Sequence, residues 1–134
     1  MGRRLLIIDD NPMICEALKD RLEAMGYTVI VAHDGRTGLA LMALEAKQAP
    51  IRGVLLDLQM PIMDGIQVLR ELRVLYAHVP VVMMTAEQDR SFREEALSLG
   101  ARQYILKPVD ASLLRQICEQ NFPLTDHDGV DFLD

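Results

Sequence analysis

The sequence has few of the residues that mark metal knuckles, disulfide frameworks, membranes or nucleic-acid surfaces. It carries only two cysteines, Cys15 and Cys118, too few and too far apart for a knuckle or a bridge framework, and three scattered histidines without ligand spacing. Both cysteines read as packing residues. No apolar run approaches the ~18 residues of a membrane span. The N-terminal "MGRRLLIIDD" puts two arginines before an apolar run, but Asp9 and Asp10 end that run too early for a signal peptide. A soluble, cytoplasmic protein with no membrane contact is expected. A basic excess is also missing. The net charge is −6, and Asp126, Asp128, Asp131 and Asp134 supply four of the 20 acids, leaving 16 against 14 basic groups elsewhere. A nearly neutral body lacks the electrostatic footprint of direct nucleic-acid binding. No glycine-rich turn follows the first apolar run, which leads instead to "DDNP", so a dinucleotide pyrophosphate has no cradle.

What is present is an alternation. The 134 residues suit one domain with one core. Apolar, mostly unalternating runs at 5–8, 27–32, 53–57, 80–84 and 103–106 read as strands covered on both faces. Amphipathic segments lie between them. The first has Asn11 as N-cap, Pro12 at the first helical position, Ile14, Leu18, Leu22 and Met25 at helical spacing, and Gly26 as its stop. Others run from Arg36 to Lys47, Ile66 to Leu75, Gln88 to Leu99 and Ala111 to Gln120, with Gly100 as a C′ residue and Asp110 as an N-cap. Strand and helix alternating at this spacing imply right-handed crossovers and a parallel α/β sheet between helices. In such sheets the ligand crevice lies beyond the carboxyl ends of the strands, which for order 2-1-3-4-5 is between strands one and three.

The residues at those strand ends form a chemical set. Asp9 and Asp10 follow strand one, Asp57 ends strand three, Thr85 follows strand four and Lys107 follows strand five. Three carboxylates converging on one crevice repel one another unless a cation sits among them. Oxygen ligands without imidazole or thiolate suit Mg²⁺, which leaves positions for phosphate oxygens. A lysine and a hydroxyl are suitable donors to a phosphoryl group in transfer. The pattern reads as phosphoryl transfer to a carboxylate, with Asp57 as acceptor on a rigid strand. Singly, each of these residues would pass for a turn or cap.

The motifs "IIDDNP", "LLDLQMPIMDG", "MMTA" and "YILKP" together resemble the receiver domain of two-component response regulators, over about residues 3 to 120. The resemblance implies a flavodoxin-like (βα)5 fold with Asp57 as the phosphorylated residue. It makes Asp10, Asp57 and the backbone carbonyl of Gln59 the Mg²⁺ ligands, with Asp9 supporting the metal through water. Lys107 would pair with the Asp57 carboxylate and then the phosphoryl group, and Thr85 would bond a phosphoryl oxygen. A cis Lys107–Pro108 bond is implied as well. The protein would catalyse only its own phosphorylation and dephosphorylation. Its donor would be a sensor histidine kinase or a phosphotransfer protein. Its reader would be a downstream protein or an output domain of its own, with homodimer formation on the same face left open.

Further positions carry two readings each. Tyr104 matches the aromatic that turns inward as Thr85 moves to the phosphate, remodelling helix four, strand five and helix five; alternatively it is an edge packing residue. Gln59 and Glu87 match positions that tune phosphate loss, or are solvated loop residues. Ala86 leaves room for a phosphodonor, or simply begins a helix. The stretch 41–53 is longer than the family pattern, which suggests an extended helix or loop there, or only a tolerated surface insertion. Residues 121–134 read as an acidic tail or the start of a linker, so the chain is expected to be a stand-alone receiver or the receiver portion of a larger regulator. The rival readings are a receiver-like interaction module that is never phosphorylated, and an aspartate-nucleophile phosphatase. "DDNPM" lacks the second spaced aspartate and the threonine which the phosphatase motif needs.

Overall fold

The computed structural model describes residues 3–86 and 90–124, with residues 90 and 91 described by their backbone. Five strands, β1 (Arg4–Ile8), β2 (Thr28–Ala32), β3 (Gly53–Asp57), β4 (Val81–Thr85) and β5 (Gln103–Leu106), form one parallel sheet of order β2-β1-β3-β4-β5. The expected α/β fold and strand order are therefore observed. Every residue of β3 and β4 is buried, while the edge strands β2 and β5 are partly exposed. This is why the central runs are continuously apolar: helices cover both of their faces.

Side chains alternate across the pleat and divide the core in two. Leu6, Ile8, Val54, Leu56, Val81 and Met83 pack on one face, against α2 (Gly35–Glu45), α3 (Gly65–Leu75) and α4 (Arg90–Ser98). Leu5, Ile7, Leu55, Val82 and Met84 pack on the other, against α1 (Pro12–Ala24) and α5 (Ala111–Asn121). Local chemistry sets the helix starts. Asn11 Oδ1 accepts from the Met13 and Ile14 amides at 2.9 and 3.2 Å, and Pro12 occupies the first turn, where its missing N–H loses nothing. Asp34 and Asp110 cap α2 and α5, and Asp64 with Gln67 forms a reciprocal capping box on α3. Gly26 and Gly100 take positive φ just after α1 and α4, as a C′ residue requires.

Three boundaries differ from expectation, each for a tertiary reason. Helix α2 stops at Glu45, so the long stretch before β3 is a loop; Arg4 spans it, pairing with Glu45 at 2.7 Å and bonding the Ala49 carbonyl. Tyr27 precedes β2, and its hydroxyl donates to the Phe122 carbonyl at 2.5 Å. Phe122 is 1% exposed and lies over Gly53, where an added Cβ would come within 2.3 Å of the ring. The packed unit therefore extends past residue 120, through Asn121 and Phe122. Among the described residues no helix is long and apolar enough to cross a membrane.

Candidate functional site

The strand register brings the polar strand ends together. Ile8 pairs with Leu56, Asp57 with Met84 and Thr85 with Leu106, so Asp9, Asp57, Thr85 and Lys107 leave the sheet at one edge. Asp9 and Thr85 are buried, and Asp57 is 5% exposed; Asp10 stands in solvent beside them. Carboxylate oxygens of Asp9, Asp10 and Asp57 all lie within 4.8 Å of one another. Thr85 is the last residue of β4 rather than the residue after it, because its carbonyl still accepts the Lys107 amide at 2.7 Å.

Lys107 is the cation of this cluster, and its nearer partner is Asp9. Its Nζ donates to Asp9 Oδ2 at 2.6 Å and to Asp57 Oδ1 at 3.1 Å. The pairing with Asp57 was expected from the sequence; the shorter bond to Asp9 was not. Ninety-eight residues separate the two, and no local pattern signals such a contact. Asp9 also accepts the Asn11 amide at 2.9 Å, which ties the first carboxylate to the start of α1.

Electrostatics follow burial. The Asp57 carboxyl is pushed up from 3.8 to about 6, chiefly by burial and then by the Asp9 charge, with Lys107 opposing and Asp10 adding to the rise. For Lys107 burial works downward, but the bond to Asp9 and the charges of Asp57 and Asp9 outweigh it and hold the ammonium above its ordinary value. A carboxylate made reluctant to ionise by two others asks for a further cation. An all-oxygen donor set with Asp10 open to water fits a hard divalent ion such as Mg²⁺.

The loop after Asp57 is shaped by backbone contact. The Gly65 amide donates to the Leu58 carbonyl at 2.7 Å, and a Cβ on Gly65 would fall 2.2 Å from the Asp57 carbonyl oxygen. Only glycine permits this closure. Gln59 lies exposed on the loop, and the Lys107–Pro108 bond is cis. Ala86 lines a cavity of about 410 Å³ with Ile14, Leu18, Lys107, Pro108 and Val109, between α1 and the β5–α5 loop. Tyr104 is partly buried in the α2–α4 half of the core and pairs with Met83. The pleat puts it on the same face as Thr85, one step along the next strand. Glu87 lies outside the described residues.

Two neighbours had no sequence signal as part of the site. Cys15 Sγ donates to the Asp9 carbonyl at 3.3 Å, and His33 Nδ1 lies 3.3 Å from the same oxygen. Burial, with the Asp9 charge second, pushes the Cys15 thiol up to about 11, so it is a packing group and not a nucleophile.

The family model described as response regulator receiver domain matches residues 5–119. Response regulator MprA of Mycobacterium ulcerans is 37% identical over 108 residues, covering 81% of this chain and 45% of that protein. Transcriptional regulatory protein ZraR of Salmonella typhimurium is 32% identical over 127 residues, covering 95% and 28%. The chain thus spans less than half the length of these curated relatives. Among solved structures, chemotaxis protein CheY4 of Vibrio cholerae is similar with a TM-score of 0.80 at 27% identity, covering 90% of this chain and 98% of that one. The CheX-CheY-BeF3-Mg²⁺ complex from Borrelia burgdorferi is similar with a TM-score of 0.82 at 27% identity, covering 88% and 87%.

Proposed function

This chain belongs to the response regulator receiver domain family of two-component systems, and we propose that within it Asp57 accepts a phosphoryl group and converts it into a changed protein surface. The observation that carries the reading is the buried Asp57 carboxyl, crowded by two other carboxylates and bonded to Lys107. An Asp57 oxygen attacks phosphorus and forms the new P–O bond as the bond to the donor breaks. From a phosphohistidine the leaving group is the imidazole. Asp10, Asp57 and the Gln59 carbonyl would hold Mg²⁺, with Asp9 reaching it through water; the ion would neutralise phosphoryl oxygens. Lys107 exchanges part of its carboxylate pairing for a phosphoryl oxygen, and Thr85 donates to another.

A phosphoryl group adds close to two negative charges and three acceptors. Drawing Thr85 toward it would vacate space on the face it shares with Tyr104, which then turns inward and alters the surface of α4, β5 and α5. Equal Tyr104 exposure with and without a bound phosphate mimic refutes this coupling. Gln59 and Glu87 set the phosphate lifetime, and Ala86 leaves room for the donor. The donor, a sensor histidine kinase or phosphotransfer protein, would seat on α1, whose Ile14, Ala17 and Leu18 line the apolar cavity next to Lys107. A downstream protein, an attached output domain or a second copy would read the α4–β5–α5 surface. The chain would act in the cytoplasm and turn over no separate substrate.

The test is the intact mass after incubation with Mg²⁺ and acetyl phosphate, with Asp57→Asn as control. One phosphoryl adduct that requires Mg²⁺ and is missing in the variant is expected. No adduct on a folded chain replaces this reading with an interaction module that works without phosphate, and turnover of generic phosphoesters replaces it with a phosphatase.

A further inference from the structure

At the end of the sheet opposite Asp57, the segments leading into β1, β3 and β4 meet the end of α5 around a second cavity of about 450 Å³. That volume is in the range of small-molecule sites. Three basic side chains line it, Arg3, Arg52 and His78, and no acid does. They come from three separate segments, which the sheet sets side by side. Leu5 pairs with Gly53 and Val54 with Val81, so the residues just before these strands share one edge. Ile51, Val79 and Phe122 are buried and give the cavity an apolar floor. The Asn121 amide is committed elsewhere, donating to the Ile117 carbonyl at 2.9 Å.

Arg3 makes this more than a basic dimple. Its Nε is buried without a hydrogen-bond partner, and among the described residues neither Arg3 nor Arg52 has an ion pair. The adjacent Arg4 does have one, with Glu45. A buried donor without an acceptor carries an uncompensated desolvation cost, which is larger when the group is charged. Two guanidinium groups without ion pairs, gathered at a cavity with no acid in its lining, call for an anion.

The lining also selects the form of that anion. A guanidinium presents a planar fork, which a carboxylate matches with two parallel N–H···O bonds. A phosphate has a third charged oxygen to satisfy, and apart from the three basic residues and the committed Asn121 amide the side chains of this lining are apolar. A carboxylate keeps both oxygens on the basic groups and leaves its carbon body for the floor. We propose that this cavity binds a small organic acid, its carboxylate on Arg3 and Arg52 with the His78 imidazole as a further donor, and its apolar body on Ile51, Val79 and Phe122. The central strand β3 then has a ligand site at each end. Binding here does not depend on phosphorylation of Asp57.

The experiment titrates the full chain with benzoate at constant ionic strength and follows backbone amide resonances, with chloride and inorganic phosphate as comparison titrants. The resonances of Arg3, Arg52, His78 and Phe122 are expected to shift together and to saturate with a Kd on the order of millimolar. Arg3→Gln and Arg52→Gln should each weaken that Kd roughly tenfold. Arg52 is exposed, so its variant decides the matter if Arg3→Gln disturbs the fold. Four results overturn the proposal: shifts that grow without saturating, the same shifts with chloride, a Kd unchanged in either folded variant, or tighter binding of phosphate than of benzoate. The acetyl phosphate adduct on Asp57 is measured separately, so failure here leaves that reading untouched.

Discussion

Asp57 is a destabilising residue at neutral pH, and the size of the effect follows from its surroundings. Its carboxyl ionises near 6 in the folded chain against 3.8 when free. Between those values the folded chain holds a proton that the unfolded chain has released, so stability falls as pH rises through the window. Above it the whole difference applies, about 3 kcal/mol at 1.36 kcal/mol per pH unit. Asp57→Asn removes the charge and keeps an acceptor for Lys107. Because Lys107 then gives up one charged partner, the net gain should be nearer ~2 kcal/mol, or roughly 5–10 °C in Tm. Urea unfolding without Mg²⁺ checks this at about pH 7.5 and about pH 4, where the gain should shrink to a small fraction as the unfolded carboxyl approaches half-protonation. Added Mg²⁺ should narrow the gap by stabilising only the wild-type chain. A variant no more stable than wild type at pH 7.5, or equally favoured at both pH values, would falsify the account of Asp57.

Three other substitutions probe the same architecture. Lys107→Met leaves the fully buried Asp9 without its cation and should cost about 3 kcal/mol at neutral pH; an unchanged urea midpoint would mean the pair carries no weight. Gly65→Ala puts a methyl 2.2 Å from the Asp57 carbonyl oxygen and should lose roughly 1–3 kcal/mol by displacing the loop, so full retention of Tm and of the phosphoryl adduct contradicts the close approach. Ile62 is β-branched, holds φ at 72° and is 92% exposed, so Ile62→Asn relieves strain without losing packing. It should raise stability by about 1 kcal/mol, and a loss measured by thermal unfolding would show that Ile62 packs on something.

The site was largely legible because its residues sit at strand ends. A five-fold strand and helix alternation dictates a parallel sheet, and a parallel sheet puts every strand's C-terminal end on one edge. The order of strands and helices alone therefore places Asp9, Asp10, Asp57, Thr85 and Lys107 together. The illegible parts were contacts between distant positions. Nothing local in "YILKP" distinguishes Asp9 from Asp57 as the nearer partner of Lys107, because that choice depends on where the β5 end settles against β1's loop.

Phe122 shows the same limit at the other end of the sheet. It stands next to a proline and an acidic stretch, and by composition it belongs to a tail. The space above Gly53 and the Tyr27 hydroxyl draw it into the core instead. Periodicity, caps and strand-end chemistry are properties of short segments, and the amino-acid sequence determined them alone. Tertiary structure decided which carboxylate holds the lysine and where α5 is anchored. Those outcomes depend on packing between segments that no short window of sequence contains.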